Sequence, residues 1–152
     1  MKSVPAISLW QPWAHLLAIG AKRYETRSWS TPYRGPMAIH AAKKWSVRMA
    51  RQCYEEPFFA ILSRAGVRFP ARCDRGRLPD LGLAFGAIVA VGRLVNIRPT
   101  SELLQVISAQ EQAFGDFSVG RWAWVYEEMV PLESPFPCTG RQGIFSVVLP
   151  AR

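Results

Sequence analysis

The sequence predicts an α+β fold in which a small mixed β-barrel has helices filling its crossovers. Strand-like segments dominate both ends of the chain and helical periodicity fills the stretches between them. Residues 85–97 form a long Val/Ile/Gly/Ala-rich run that is typical of a central strand. A chain of 152 residues suits one hydrophobic core and is short for two, so we expect a single domain over residues 1–152.

Turn and cap signals divide the first part of the chain into short elements. Pro12 suits the first turn of a helix, where a missing N–H is harmless, and Gly20 is a natural residue to follow the last turn. Pro32 and Gly35 mark a turn between two strands. The elements expected here are strands at 4–9, 23–29 and 37–41 and a helix at 12–19.

The second part of the chain mixes helices, a loop and the closing strands. Pro57 is expected to break a helical stretch that runs from 43 to 65. Ser108 and Glu111 have capping-box spacing, so the helix expected at 100–114 has an alternative in which a second short helix begins there. The other elements are a basic loop insertion at about 67–83, the strand at 85–97 and closing strands at 121–130 and 143–149.

Composition favours a folded cytoplasmic protein. Hydrophobic residues make up 49% of the chain and charged residues 20%, which argues against a disordered segment. The apolar runs are strand-sized and the N-terminus lacks the apolar region of a signal peptide, so no membrane partner is expected. The three cysteines are widely spaced without a CxxC pair, and no Walker or GxGxxG loop is present. We therefore expect no disulfide framework, no metal and no cofactor.

The net charge of +8 is concentrated in one part of the chain. Residues 22–77 hold 13 basic and 4 acidic residues, a balance of +9. A basic segment on a near-neutral scaffold suits a polyanionic partner, because neutralised phosphates release condensed counterions. A merely solvated surface, or a face that binds an acidic protein, is the alternative.

Lys22, Glu25 and Arg27 are the main candidates for chemistry. A strand places Glu25 and Arg27 on one face, and Lys22 precedes them at the helix–strand junction. Because unpaired buried charges are costly, such residues suit the wall of a polar cleft. There the cations can hold a phosphate or polarise a carbonyl, and the carboxylate can accept from a base edge or act as a base. A structural ion pair is the alternative.

Aromatic residues lie among these cations, as base stacking requires. Trp10 is expected to line a pocket, whereas Trp13 has the helical spacing of a core residue. For Trp29, the sequence is compatible with either location. Trp124 is either a stacking residue or core. His40 is either a general base or, more simply, a structural histidine.

The chain resembles the ASCH domain family in motifs that together span nearly its whole length. In order, these are Ile-Ser-Leu-Trp-Gln-Pro-Trp at 7–13, Gly-x-Lys-x-x-Glu-x-Arg at 20–27, Tyr-Arg-Gly-Pro at 33–36, Ile-His-Ala at 39–41, Gly-Arg-Trp-Ala-Trp at 120–124 and Gly-Arg-Gln-Gly-Ile-Phe at 140–145. The resemblance implies a PUA-like β-barrel with a cleft between the barrel and the helix after the first strand. It also implies binding of RNA, other single-stranded nucleic acid or a modified nucleoside.

Enzymatic activity is a second implication of the resemblance. Some ASCH proteins are reported as ribonucleases, and one bacterial branch deacetylates N4-acetylcytidine nucleosides with a Lys at the Lys22 position, a Thr three residues later and a distant Glu. Here Glu25 stands three residues on, and strand alternation predicts that Thr26 faces the opposite side. Glu111 and Glu127 are the candidates for the distant acid.

The resulting site hypothesis assigns three sets of residues. Those expected to contact a base or nucleoside are Trp10, Gln11, Lys22, Glu25, Arg27, Tyr33, Arg34, His40 and Trp124. Those expected to contact phosphates are Lys43, Lys44, Arg48, Arg72, Arg75 and Arg77. If the protein is an enzyme, Lys22 and Glu25 are the catalytic candidates.

Overall fold

Six strands form a single mixed sheet in the computed structural model, which describes residues 1–70 and 80–151. The strands are β1 (Lys2–Leu9), β2 (Tyr24–Arg27), β3 (Gly35–Ala41), β4 (Ala87–Pro99), β5 (Trp122–Pro137) and β6 (Phe145–Leu149). The helices are α1 (Trp13–Ala18), α2 (Val47–Cys53), α3 (Phe58–Arg64) and α4 (Ala109–Ala113), with a 3-10 turn at Thr100–Glu102. The predicted α+β class is confirmed.

The strand order across the sheet is β2-β5-β4-β3-β1-β6. β1 and β3 are parallel, and the other neighbouring pairs are antiparallel. The predicted closed barrel is not confirmed, because in the described ranges the two edge strands β2 and β6 do not pair with each other. β2 is therefore an edge strand, paired only with β5 among the described strands.

The long central strand predicted at 85–97 is β4, which pairs with β3 on one side and β5 on the other. Its ladder with β5 contains three register shifts. Gly92 lies near the middle shift, where an added Cβ would come 2.6 Å from the Met129 methyl carbon. A side chain at this position would require the end of the Met129 side chain to move, while the nearest backbone atom of β5, Glu127 O, is 3.4 Å away.

Proline and serine residues set the helix boundaries. Pro57 separates α2 from α3, as predicted, and the Ser46 hydroxyl accepts the Met49 N–H at the start of α2. The continuous helix expected at 100–114 is wrong. The chain instead makes the 3-10 turn and then α4, whose first turn is capped by the Ser108 hydroxyl accepting from the Glu111 N–H. The capping-box alternative is the one that the chain adopts.

The core is divided by the sheet. On one side α1 buries Ala14 and Leu17 against β1 and β3. A neighbouring cluster joins Leu16 of α1 to α3 and to the chain after α4 through Phe58 and Phe114. A separate cluster packs β6 against β1, β3 and β4. The segment between α1 and β2 is thereby fixed by helices on one side and by the sheet on the other.

The basic loop insertion predicted at 67–83 lies only partly in the described ranges. Arg72, Arg75 and Arg77 fall outside the described residues. None of the helices in residues 1–70 and 80–151 is long and apolar enough to cross a bilayer.

Glu111 connects α4 to the start of β2. Its side chain is buried, and its carboxylate accepts the backbone N–H groups of Arg23 at 3.2 and 3.3 Å and of Tyr24 at 3.1 Å. Glu127, by contrast, is exposed and pairs with the Arg23 guanidinium at 2.8 Å. Glu111 therefore has a structural role at the beginning of the strand that carries the candidate site.

We predict that Glu111→Ala lowers the free energy of unfolding by about 1–3 kcal/mol, because two partly buried backbone hydrogen bonds lose their acceptor. Chemical denaturation measures the change. Glu127→Ala is the matched control and should change stability by less than about 0.5 kcal/mol, since its ion pair is exposed. Equal losses in the two variants would contradict the structural role of Glu111.

Candidate functional site

An open cavity of about 600 Å³ lies beside β2 and is called here the first cavity. Its wall includes the end of β1, the start of α1, β2 and the turn after α4, with single residues from α2, α3 and the chain before β5. The residues at its wall that matter below are Ser8, Trp10, Trp13, Lys22, Glu25, Thr26, Arg27, Trp29 and Asp116. The cavity lies next to the helix that follows the first strand.

Lys22 is a buried cation at the wall of the first cavity. Its backbone N–H donates to Leu16 O at 3.1 Å, which fixes it at the end of α1. Its ammonium donates to Tyr24 O and lies 3.4 Å from Glu25 Oε2. The Lys22 side chain is 1% exposed and that of Glu25 14% exposed. A charge this deeply buried is tolerated because a carboxylate and a carbonyl surround it.

Arg27 extends from β2 to β1. Its Nη2 donates to Ser8 O at 2.6 Å, and its guanidinium carbon lies 5.9 Å from the centre of the Trp29 ring. Its Nε is buried and has no hydrogen-bond partner among the residues that the structure describes. The structure therefore brings Lys22, Glu25 and Arg27 to one concave wall.

Trp10 supplies an aromatic surface at the edge of this wall. It directly follows β1, is 49% exposed and lies at the wall of the first cavity. The Lys44 ammonium is 4.1 Å from its ring centre, a cation–π contact. The cavity thus combines charged groups with a half-exposed indole.

Trp124 packs against Trp29 of the cavity wall and does not line the cavity itself. The site hypothesis, which listed Trp124 among the base-contacting residues, is corrected on this point. Trp124 is fully buried, its ring lies edge-on to Trp29 with 4.8 Å between the ring centres, and its Nε1 donates to Trp29 O at 3.1 Å. Its ring has no face that a base could reach, because the sheet and Trp29 enclose it. Of the two interpretations of Trp124, core is the correct one.

Tyr126 is a buried residue that sequence reasoning missed. Burial, and next the Glu25 carboxylate, raise the pKa of its phenol, so the hydroxyl stays protonated. Its oxygen has no hydrogen-bond partner in the described part of the chain. Alternation along the strand after Trp122 and Trp124 is the signal that could have placed Tyr126 on the same buried face.

Thr26 follows Glu25 on β2, and its expected orientation, away from Lys22 and Glu25, stays a prediction. It lies at the wall of the same cavity, where its hydroxyl accepts the Asp116 N–H at 3.0 Å. Asp116 lies there too, and hydrogen bonds from Ser118 lower the pKa of its carboxyl, which keeps it ionised near neutral pH.

His40 is buried and hydrogen-bonded through both ring nitrogens. This environment fits a structural histidine, the simpler of its two interpretations. Its Nε2 is 2.9 Å from Cys138 O and its Nδ1 is 2.8 Å from Ser8 Oγ. A carbonyl can only accept, so Nε2 carries a proton and donates to Cys138 O, while Nδ1 shares a hydrogen bond with the Ser8 hydroxyl. The ring is 2% exposed, and it borders a second cavity of about 640 Å³.

The other candidate base-contacting residues lie outside the wall of the first cavity. Gln11 is fully buried, where its amide donates to Ala84 O and accepts the His15 N–H. The Tyr33 hydroxyl donates to Pro36 O, and Arg34 donates to Thr31 O and Tyr33 O. These groups stabilise turns and the start of α1.

The candidate phosphate-contacting residues in the described ranges are all exposed. They are Lys43, Lys44 and Arg48, and Lys43 borders the second cavity. The candidate distant acids Glu111 and Glu127 contribute to the wall of neither cavity.

The two thiols in the described residues, those of Cys53 and Cys138, show no sign of activation. Burial raises the pKa of Cys53 to about 12, and burial also raises that of Cys138. Within residues 1–70 and 80–151, no group of three or more His, Cys, Asp or Glu side chains is arranged to hold a metal ion.

Comparisons with known proteins agree with the motifs. The sequence profile of the ASCH domain matches residues 7–136. The crystal structure of ASCH from Zymomonas mobilis aligns with a TM-score of 0.52 at 14% identity, over 95% of this chain and 87% of that one. This similarity concerns the fold alone.

Two curated relatives share short segments with this chain. Activating signal cointegrator 1 of Homo sapiens is 43% identical over 65 residues, which is 42% of this chain and 11% of that protein. The Mus musculus protein of the same name is 55% identical over 38 residues, 25% of this chain and 6% of that protein. The chain thus spans a small part of the length of either relative.

We predict that the Lys22–Glu25 contact is worth more than a surface ion pair. Lys22→Met should lower the free energy of unfolding by about 3 kcal/mol, because it leaves a largely buried carboxylate unpaired. Combining it with Glu25→Gln should recover part of that loss, giving a coupling energy of about 1–3 kcal/mol in a double-mutant cycle.

The Arg98–Glu102 pair provides the matched control for this cycle. Its charged atoms are 3.4 Å apart, as in the buried pair, but both side chains are exposed. Its coupling energy should stay below about 1 kcal/mol. Equal coupling energies for the two pairs in urea denaturation would contradict the prediction.

Proposed function

Because this chain belongs to the ASCH domain family, we propose that it binds RNA by taking one base of a single-stranded segment into the first cavity. The observation that carries the proposal is the convergence of Lys22, Glu25 and Arg27 on one wall of an open cavity beside the half-exposed Trp10. These residue types match the two requirements of single-strand recognition, hydrogen bonding to a base edge and stacking on its face.

The charged residues supply the hydrogen-bonding part. A base edge presents donors beside acceptors, and the wall offers a carboxylate next to a guanidinium. Lys22 orients the carboxylate from behind, and Ser8 O holds the guanidinium, so both are ordered before a ligand arrives. Preordered groups lose less conformational entropy on binding, which favours affinity.

Trp10 supplies the stacking part, and the surface near it supplies the charge. Stacking of a base on an aromatic side chain is sequence-tolerant and contributes roughly 1–3 kcal/mol per base. Lys44 lies against the same ring, and Lys43 and Arg48 are exposed nearby in the sequence. These cations suit the phosphates of a strand whose base occupies the cavity.

Hydrolysis is a second candidate function, and the location of Thr26 favours it. A hydroxyl, an ammonium and a carboxylate lie at the wall of the same cavity. Lys22 would stabilise negative charge that develops on an attacked carbonyl or phosphoryl oxygen, and Glu25 would transfer the proton of a water molecule. Two reactions are considered. One is the hydrolysis of N4-acetylcytidine to cytidine and acetate, and the other is the hydrolysis of an RNA phosphodiester.

Incubation of the purified protein with labelled RNA and with N4-acetylcytidine, with and without a chelator, tests this second candidate. Circular dichroism first shows whether Thr26→Val and Lys22→Ala are folded. Hydrolysis is established if the wild type forms product and either folded variant does not. If no product forms, or if the folded variants match the wild type, the candidate is eliminated.

We predict that Trp10→Ala weakens binding of a single-stranded RNA decamer by about 5- to 150-fold, corresponding to roughly 1–3 kcal/mol. Fluorescence anisotropy at several salt concentrations measures the affinity. The slope of the logarithm of the association constant against that of the salt concentration should change little, because no phosphate contact is removed.

Phe59→Ala is the control for Trp10→Ala. Phe59 is also a partly exposed aromatic residue, at 37% exposure, but it lies outside the wall of the first cavity. Its replacement should leave RNA affinity within about twofold of the wild type. The proposal fails if the wild-type protein shows no salt-sensitive RNA binding, or if both variants bind RNA equally well.

A further inference from the structure

The second cavity adjoins the first and has a different chemical character. The two share Ser8, Trp10, Arg27 and Trp29, and their volumes are about 600 and 640 Å³. Both volumes lie within the range of roughly 300–1,000 Å³ that is typical of small-molecule sites. Arg27 and Trp10 therefore stand at the boundary between two compartments of similar size.

The charges at the two walls differ. The first cavity contains the carboxylates of Glu25 and Asp116 beside its cations. The second is bordered by Arg27, Lys43 and Arg141, and none of the described residues at its wall is an Asp or Glu. A mixed wall suits a base edge, which has donors and acceptors, whereas a wall with cations alone suits an anion.

Arg27 and Lys43 each have a defined contact at this cationic wall. Arg27 is fixed by its hydrogen bond to Ser8 O. The aliphatic part of Lys43 lies across Gly86, where an added Cβ would come 2.9 Å from Lys43 Cε. Gly86 has a φ of +64°, so a larger residue there would be strained as well as in collision with the lysine.

The segment that carries Arg141 is fixed by His40. The imidazole donates to Cys138 O and shares a hydrogen bond with the Ser8 hydroxyl. Gly140 lies directly against the ring, where an added Cβ would come 2.5 Å from His40 Cε1. Ser8 thus holds Arg27 with its carbonyl and His40 with its hydroxyl, which ties the two cavity walls to one residue of β1.

We infer that the two cavities form one site for two adjoining units of a strand, with the phosphodiester between them held by Arg27, Lys43 and Arg141. The inference rests on the proposed function and specifies its ligand as an oligonucleotide with at least one internucleotide phosphate. The base of one nucleotide occupies the first cavity, Trp10 separates the two units, and the second cavity receives the phosphate and the sugar of the next.

The experiment compares three sets of probes with the full chain by isothermal titration calorimetry. The sets are the four ribonucleosides, the four homodinucleoside monophosphates in ribo and deoxyribo form, and the same dinucleotides with a neutral methylphosphonate linkage. We expect the best dinucleotide to bind at least tenfold more tightly than its parent nucleoside, and the methylphosphonate to lose most of that gain. The ribo and deoxyribo sets show which strand chemistry is preferred.

Two substitutions locate the phosphate. Arg141→Gln and Lys43→Gln should each reduce the affinity for the charged dinucleotide several-fold, while leaving the affinity for the nucleoside unchanged. Arg98→Gln, an exposed arginine outside both cavities, is the control and should alter neither. Thermal melting identifies any variant that is destabilised, and Lys43→Arg should then retain the dinucleotide affinity that Lys43→Gln loses.

The outcomes distinguish this inference from the proposed function. If nucleosides bind but a charged linkage adds no affinity, or if the gain is insensitive to Arg141 and Lys43, the two-compartment site is wrong and the first cavity remains a nucleoside site. If no nucleoside, dinucleotide or longer RNA binds, both proposals fail. A charge-dependent gain that the two variants remove supports the inference.

Discussion

The buried ion pair between Lys22 and Glu25 is the constraint on which the candidate site depends. An ammonium at 1% exposure is stable only where a carboxylate and a carbonyl surround it. Lys22 has both, and its backbone is bonded to the end of α1. The start of β2 is therefore fixed to the helix and cannot shift without exposing the pair or breaking it. Glu111 holds the same segment from the other side through the N–H groups of Arg23 and Tyr24.

Ser8 extends this rigid arrangement across the sheet. Its carbonyl accepts from Arg27 of β2, and its hydroxyl is hydrogen-bonded to Nδ1 of His40 in β3. His40 in turn holds the chain after β5 through Cys138 O. Four strands thus position the groups around the two cavities, so the charged side chains are ordered by the scaffold. Groups held in this way can bind a flexible strand with a smaller entropic cost than mobile ones.

The elements that depend on local chemistry could be predicted from the sequence. Pro57 separates two helices because it lacks an N–H, and the Ser108 hydroxyl caps α4 because its spacing to Glu111 is that of a capping box. Placing Glu25 and Arg27 together followed from strand alternation, and Lys22 joins them because the turn after α1 is short. For these residues, the neighbours in sequence determine the geometry.

The features that depend on long-range pairing could not be predicted. Barrel closure requires β2 and β6 to pair, and no periodicity within either strand specifies the partner. Thr26 lies at the wall of the first cavity together with Asp116, a residue 90 positions away that donates to its hydroxyl. Trp124 is core because Trp29, from a distant loop, covers its ring. Arg141 joins the second cavity through the contacts of His40 with Ser8 and Cys138, which no local motif encodes.

The most direct test of a base-binding first cavity is an NMR titration of the tryptophan indole N–H signals with ribonucleosides. The chain has six tryptophans, and their locations differ enough to report where a ligand binds. The signal of Trp10 should shift most, with smaller shifts for Trp13 and Trp29 at the same wall and little change for Trp45. Saturable shifts at Trp45 with an unchanged Trp10 signal would contradict a base-binding role for the first cavity.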